Sequence, residues 1–210
     1  MQMTMTHDHR FWDRIAPRYF KSPISKPDIY EEKLRRTQQY LTEGMDILEF
    51  GCGTGGTAIR HAPHVSHVHA LDISQNMLDI AAGQVANAGV DNITFERADT
   101  ADFDAPEGRY DAVLALSHLH LLKDPAAAIV KARGLLKPGG LFISSTVCLG
   151  DKWSGFRLFI ALGRLIRVFP LVRTFKADWL RKQVMDAGFK ILDDWQPGKS
   201  PAVFLIARAR

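Results

Sequence analysis

The glycine-rich stretch Gly51-Cys52-Gly53-Thr54-Gly55-Gly56 is the part of this sequence most plainly suited to holding a ligand. It follows an apolar run, 46–50, that reads as a buried strand, and it leads into a stretch with helical spacing. Glycines at such a junction let the backbone turn sharply and approach a ligand closely, beside the free N–H groups that open the next helix. Gly51, Gly53 and Gly56 also satisfy a dinucleotide fingerprint, so the loop alone leaves two cofactor classes open. Asp72 ends the next apolar run, about twenty residues further on, where a carboxylate can accept hydrogen bonds from both hydroxyls of a ribose. Asp99 ends the third run and can accept from an adenine amino group. Ser117-His118-Leu119-His120 follows the fourth run. Histidine ionises near neutral pH, which makes His118 and His120 candidate general bases. Ser117 reads as a ligand contact rather than a nucleophile, because no triad partner accompanies it.

A second cluster, His61, His64, His67 and His69, raises metal ligation. His61 and His64 straddle Pro63, His67 and His69 fall in an alternating strand, and no Cys or carboxylate completes a set at zinc spacing. Core or surface histidines are the expectation, and no metal is assigned.

The elements that must position these residues alternate strand and helix from Met45 onward, which predicts a mostly parallel sheet covered by helices. Strands are expected at 46–50, 67–73, 92–98, 110–116 and 141–146, with a terminal hairpin at 189–195 and 202–207 around the 197–201 loop. Ser74 is placed to cap the helix that ends before Gly89. Asp124-Pro125 opens another with a capping residue and a proline in its first turn. Residues 1–42 read as a helical arm interrupted by Pro17, Pro23 and Pro27. Residues 43–149 form the cofactor-binding core, 150–176 an insertion and 177–210 the last helix and hairpin, all within one domain. Arm and insertion are expected to cover the mouth at the carboxyl ends of the strands, where open α/β sheets bind ligands.

Composition agrees with a globular enzyme. The chain has 210 residues, 46% hydrophobic and 24% charged, enough apolar material for a core without a disulfide or metal staple. Two distant cysteines, Cys52 and Cys148, fit a reducing cytoplasm. Residues 1–10 lack the apolar centre of a signal peptide, and no run of ~18 uncharged apolar residues predicts a spanning helix. The net charge of +4 is uneven: 151–182 carries eight basic residues against two acidic, a local excess that suits an anionic contact or a solvated helix face.

The motifs taken together resemble the class I S-adenosylmethionine-dependent methyltransferases. Ile47-Leu48-Glu49-Phe50-Gly51-Cys52-Gly53-Thr54-Gly55 is similar to that family's first motif, Asp72 to its ribose-binding acid and Asp99 to its adenine-side acid. Tyr110-Asp111-Ala112-Val113 matches its fourth strand, and Leu135-Leu136-Lys137-Pro138-Gly139-Gly140 the turn before its fifth. The resemblance spans roughly 45–146, with five motifs in order. It implies a Rossmann-like sheet of seven strands with the last antiparallel, and S-adenosyl-L-methionine as cofactor. The binding set it implies is Tyr19, Glu49, Gly51, Cys52, Gly53, Asp72, Ile73, Met77, Asp99, Thr100 and Ser117. The arm Phe11-Trp12-Asp13-Arg14-Ile15-Ala16-Pro17-Arg18-Tyr19 resembles the quinone-biosynthesis type, in which the tyrosine lies over the cofactor. This chain has Phe20 where that type often carries an acid.

The expected activity is methyl transfer to a small apolar or amphipathic acceptor. The alternatives are an NAD(P)-dependent oxidoreductase, supported by the glycine loop alone, and a non-catalytic methyltransferase-like binding protein. In 153–169, read as a helix, Arg157 and Arg164 share one face with Arg167 near them, opposite a broad apolar face. A lid over the active site ranks first for this segment and peripheral docking on an anionic membrane second. Nucleic acid ranks last, because few aromatics interleave the basic side and no RNA-binding module is present.

Overall fold

The computed structural model describes residues 7–151, 171–198 and 200–210. Strands β1 (Asp46–Phe50), β2 (His67–Asp72), β3 (Ile93–Arg97), β4 (Tyr110–Leu116) and β5 (Leu136–Val147) pair in parallel. The terminal hairpin adds β6 (Phe189–Trp195) and β7 (Ala202–Ala209). Among the described residues the sheet has seven strands in the order β3-β2-β1-β4-β5-β7-β6. Only β7 runs antiparallel to its neighbours, which is the mostly parallel sheet with an antiparallel last strand expected from the sequence.

Helices cover both faces. The arm supplies α1 (His7–Lys21) and α2 (Pro27–Gln38); the core supplies α3 (Gly56–His61), α4 (Gln75–Ala88), α5 (Pro125–Leu135) and α6 (Ala177–Asp186). Strand residues alternate between two cores. Leu48, Phe50 and Val113 pack with Ile129 of α5 and Leu180 of α6. Ile47, Ala112 and Leu114 pack with Ala58 of α3 and Leu78 of α4. Ser74 caps α4 by accepting from the Met77 N–H at 3.2 Å, and Asp124 caps α5 by accepting from the Ala127 N–H at 3.0 Å.

Two expectations are corrected. The fifth strand begins at Leu136 rather than 141, directly after α5. Leu136 pairs with Tyr110, and the register then slips so that Ala112 pairs with Leu141. Pro138-Gly139-Gly140 is therefore a bulge inside the ladder, where Gly139 takes a left-handed backbone (φ 77°). Pro17 does not interrupt the arm: α1 runs through it. Proline cannot donate to the carbonyl four residues back. That oxygen, on Asp13, instead accepts from Asn76 Nδ2 at 3.0 Å. The Asp13 carboxylate accepts from Ser74 Oγ at 2.6 Å and from the Asn76 N–H at 3.3 Å, so one residue of α1 is fastened to the start of α4.

Helix α2 is held at both sides. Arg60 of α3 forks onto Glu31 at 2.9 and 2.6 Å. Arg36 reaches both oxygens of Asp193 on β6 at 3.1 and 2.8 Å and stacks over Trp195, 4.6 Å from the ring centroid. The basic segment 153–169 lies outside the described residues, but the ends of the insertion meet: the Gly150 N–H donates to the Phe175 carbonyl at 3.0 Å.

Asp13→Ala is expected to lower stability by about 1–3 kcal/mol, the scale of hydrogen bonds to a charged group. It should also speed proteolysis within α1. Denaturant unfolding and limited proteolysis check this; unchanged protection of α1 would show that apolar packing alone holds the arm.

Candidate active site

The carboxyl ends of β1, β2, β3 and β4 open onto one cavity of about 430 Å³, a size suited to a small-molecule site. Gly51 and Gly53 line it after β1, Asp72 and Ile73 after β2, Asp99 and Thr100 after β3, and Leu116, Ser117 and His118 after β4. Met77 of α4 and Trp12 and Tyr19 of α1 complete that side. Leu121, Leu122 and Lys131 form the wall toward α5.

Asp72 organises the floor. Its Oδ2 accepts from the Gly53 N–H at 2.8 Å and its Oδ1 from the Ser74 N–H at 2.9 Å. Burial raises its pKa, while these backbone donors and that of Ile73 pull it down. A carboxylate has about four lone-pair sites, so both oxygens retain capacity for a ligand. Asp99 orders its own loop, its Oδ1 accepting from the Ala101 N–H at 2.9 Å.

Gly51 takes a left-handed backbone (φ 66°), and a Cβ there would fall 2.2 Å from His118 Nδ1. The loop and the imidazole therefore lie in direct contact. His118 Nε2 hydrogen-bonds with Thr100 Oγ1 at 2.8 Å. Burial, then the nearby His120, push the His118 pKa down to about 4. The near-neutral ionisation expected from the sequence is thus corrected: His118 is neutral throughout the physiological range. Ser117 precedes it with φ 58°, a strained backbone for a non-glycine residue. His120 is likewise lowered to about 4 by burial. It does not line the cavity, and its buried Nδ1 has no partner among the described residues.

Glu49 and Cys52, both in the predicted binding set, lie behind the cavity wall rather than on it. The Cys52 thiol is buried and its pKa raised by that burial. Glu49 is 1% exposed. Its Oε1 accepts from Thr57 Oγ1 at 2.6 Å, and among the described residues nothing donates to Oε2. Burial, with Asp72 adding repulsion, raises its pKa to about 7. The histidine cluster is dispersed into separate environments. His69 bridges Tyr110 and Glu96, His67 meets Thr94, and His61 is buried with neither nitrogen partnered among the described residues.

Sequence reasoning missed Trp12, Leu121, Leu122 and Lys131 as wall residues. The apolar pair after His120 was a usable signal. Lys131 was not, since only the fold brings it to donate to the Phe103 carbonyl at 2.7 Å.

Sheet order and cavity together define a Rossmann-like methyltransferase architecture. A methyltransferase-domain family model matches residues 47–140. The chain is 34% identical to a ubiquinone biosynthesis O-methyltransferase of Alkalilimnicola ehrlichii, across 78% of this chain and 69% of that protein. It is 31% identical to another of that name from Paraburkholderia xenovorans, across 66% of this chain and 58% of that one. The crystal structure of the N-methyltransferase NodS from Bradyrhizobium japonicum, in complex with S-adenosyl-L-homocysteine, superposes with a TM-score of 0.74 at 16% identity. That alignment covers 97% of this chain and 99% of that one, a likeness of fold. The chain belongs to the class I S-adenosylmethionine-dependent methyltransferases. These matches favour neither the nicotinamide-dependent oxidoreductase nor the non-catalytic alternative. Among the described residues no helix is long and apolar enough to cross a membrane.

Glu49 generates a pH prediction for the ligand-free protein. Its folded pKa, about 7, exceeds the ordinary 4.5. Between these values the native state therefore binds more protons than the unfolded one. The contribution of Glu49 to stability should be greatest below 4.5 and be lost as pH rises from there through 7, by roughly 3 kcal/mol in all. Glu49→Gln should flatten that slope in urea titrations across the window; an unchanged slope would show that Glu49 does not carry it.

Proposed function

We propose that this chain transfers the methyl group of S-adenosyl-L-methionine to an oxygen of a small, apolar or amphipathic aromatic acceptor. The observation that carries the reading is His118, held neutral against the glycine loop at the edge of a cavity walled by Leu116, Leu121, Leu122 and Trp12. The names of the two relatives, ubiquinone biosynthesis O-methyltransferases, support an oxygen acceptor.

The cavity's chemistry suits the cofactor. Asp72 offers acceptor capacity for a diol at the end of β2, and Asp99 offers a carboxylate beyond β3 for an amino group. Glu49, to whose Oε2 nothing donates among the described residues, sits behind the loop with a pKa of about 7, and a cationic ligand in front of it favours its charged form. Tyr19 extends over this end of the cavity from α1. When bound, the cofactor supplies an already activated sulfonium methyl.

What remains for the protein is placement, and good orientation contributes as much as ~7–11 kcal/mol to lowering a barrier. In the tautomer that donates from His118 Nε2–H to Thr100 Oγ1, Nδ1 on the Gly51 side keeps a free lone pair. That lone pair can accept a hydrogen bond from an acceptor hydroxyl and orient it. A full proton transfer is costly: with His118 at about 4 and a phenol near 10, roughly six units separate them, about 8 kcal/mol. His118 therefore directs the hydroxyl and lightens its proton rather than storing it, and His120, off the wall, is left with no such part.

Mass spectrometry with isotopically labelled S-adenosyl-L-methionine, run across quinols, phenols, thiols and amino lipids, tests the acceptor class. Methylation confined to thiols or amines would overturn the oxygen assignment. Asp72→Ala is expected to weaken S-adenosyl-L-homocysteine binding by about 100-fold, the scale of two hydrogen bonds to a charged group. Calorimetry checks it, and unchanged affinity would remove Asp72 from the cofactor site. His118→Ala should slow turnover by about 10²-fold, the lower end for a positioned proton-handling group, with little change in cofactor affinity. Because the neutral ring is the working form, the His118-dependent rate should hold from pH 8 to 6 and fall only as pH approaches 4. An inflection near 6.5 that disappears in His118→Ala would contradict this.

A further inference from the structure

We infer that Lys33, held by Ser145 at the carboxyl edge of β5, forms an anion subsite for the acceptor and favours molecules that carry a carboxylate. The inference rests on the acceptor reading above but concerns a residue outside the cofactor cavity.

Lys33 Nζ donates to Ser145 Oγ at 2.7 Å, spanning from α2 to the sheet. Ser145 is the register partner of Leu116, and both side chains lie on the face of Leu114 and Ile143. Leu116 lines the cavity, and the Ser145 carbonyl accepts from the N–H of Ser117, the next lining residue, at 2.7 Å. The ammonium thus sits one strand beyond the cavity wall, on the side opposite Asp72 and Asp99. With those acids holding the cofactor over β2 and β3, the acceptor approaches from the β4–β5 side, where Lys33 stands.

Among the described residues no acid pairs with Lys33. The other cations late in α2 are engaged: Arg35 pairs with Glu32, and Arg36 with Glu32 and Asp193. Lys33 is half-buried, and its one hydrogen bond among the described residues goes to a neutral hydroxyl. Burial, and after it Lys26, lower its pKa, and no acid offsets them. A partly desolvated ammonium with a like charge nearby gains from an anion more than a solvated one does. The clamps of α2 to Arg60 and Asp193 fix the helix, so the ammonium is presented without a large ordering cost.

Benzoate and benzamide, matched in size and differing in charge, test this by calorimetric titration into the full chain saturated with S-adenosyl-L-homocysteine. Benzoate is expected to bind at least about tenfold more tightly than benzamide, roughly 1.4 kcal/mol. Lys33→Met should abolish that preference with homocysteine-ligand affinity unchanged, and Lys33→Arg should retain it. Added salt should weaken benzoate alone. Equal binding of the two probes, absence of benzoate binding, or a preference that survives Lys33→Met would each overturn the subsite. The methyl-transfer screen is a separate readout: a benzoate preference without any methylated oxygen acceptor would sink the proposed reaction and leave the anion site standing.

Discussion

Asp72 holds two peptide N–H groups on one carboxylate, that of Gly53 in the loop after β1 and that of Ser74 at the start of α4. Two pieces of chain that leave the sheet at neighbouring strands, β1 and β2, are thereby drawn to one point. Much of the site depends on that meeting. With the loop fixed, Gly51 presents a bare Cα to the His118 ring. With Ser74 fixed, Asp13 has a partner and α1 has a place to dock, which brings Trp12 and Tyr19 over the cavity. A single buried acid is costly to keep charged, and its pKa is raised accordingly. Backbone donors offset that cost and make the geometry of the floor specific.

The charges of the cavity fall into a division of labour. The β2–β3 side gathers acids: Asp72 and Asp99 on the wall, with Glu49 behind it near half-ionisation at neutral pH. The β4–β5 side carries neutral imidazole and, one strand further, an ammonium. Such a gradient orients a charged or dipolar molecule before any close contact forms.

Most of the architecture was legible in the sequence because it is written in local terms. The strands 46–50 and 110–116 match β1 and β4 residue for residue, since buried strands in a parallel sheet are near-continuous apolar runs. Ser74 and Asp124 cap helices because capping needs only a short side chain at the right place. The carboxylates at strand ends were legible for a similar reason: the fold always brings those ends together. What escaped was whatever depends on a distant partner. The histidine pKa values follow from burial, which periodicity does not report. The bulge at Pro138-Gly139-Gly140 looked like a turn because both use the same residues, and only pairing with β4 distinguishes them. Lys33 carries no local signal, because only the fold brings Ser145 within reach of it.

A proline inside a helix is usually counted as damage, worth about 3 kcal/mol in an isolated segment. In α1 the damage is also a socket: the oxygen that Pro17 leaves idle is the one Asn76 occupies. The arrangement is phase-locked. Each residue turns a helix by about 100°, so a proline one position earlier or later would idle a carbonyl aimed well away from α4. The arm is thus keyed like a bayonet fitting, and the four-residue interval between Asp13 and Pro17 sets the angle at which it seats.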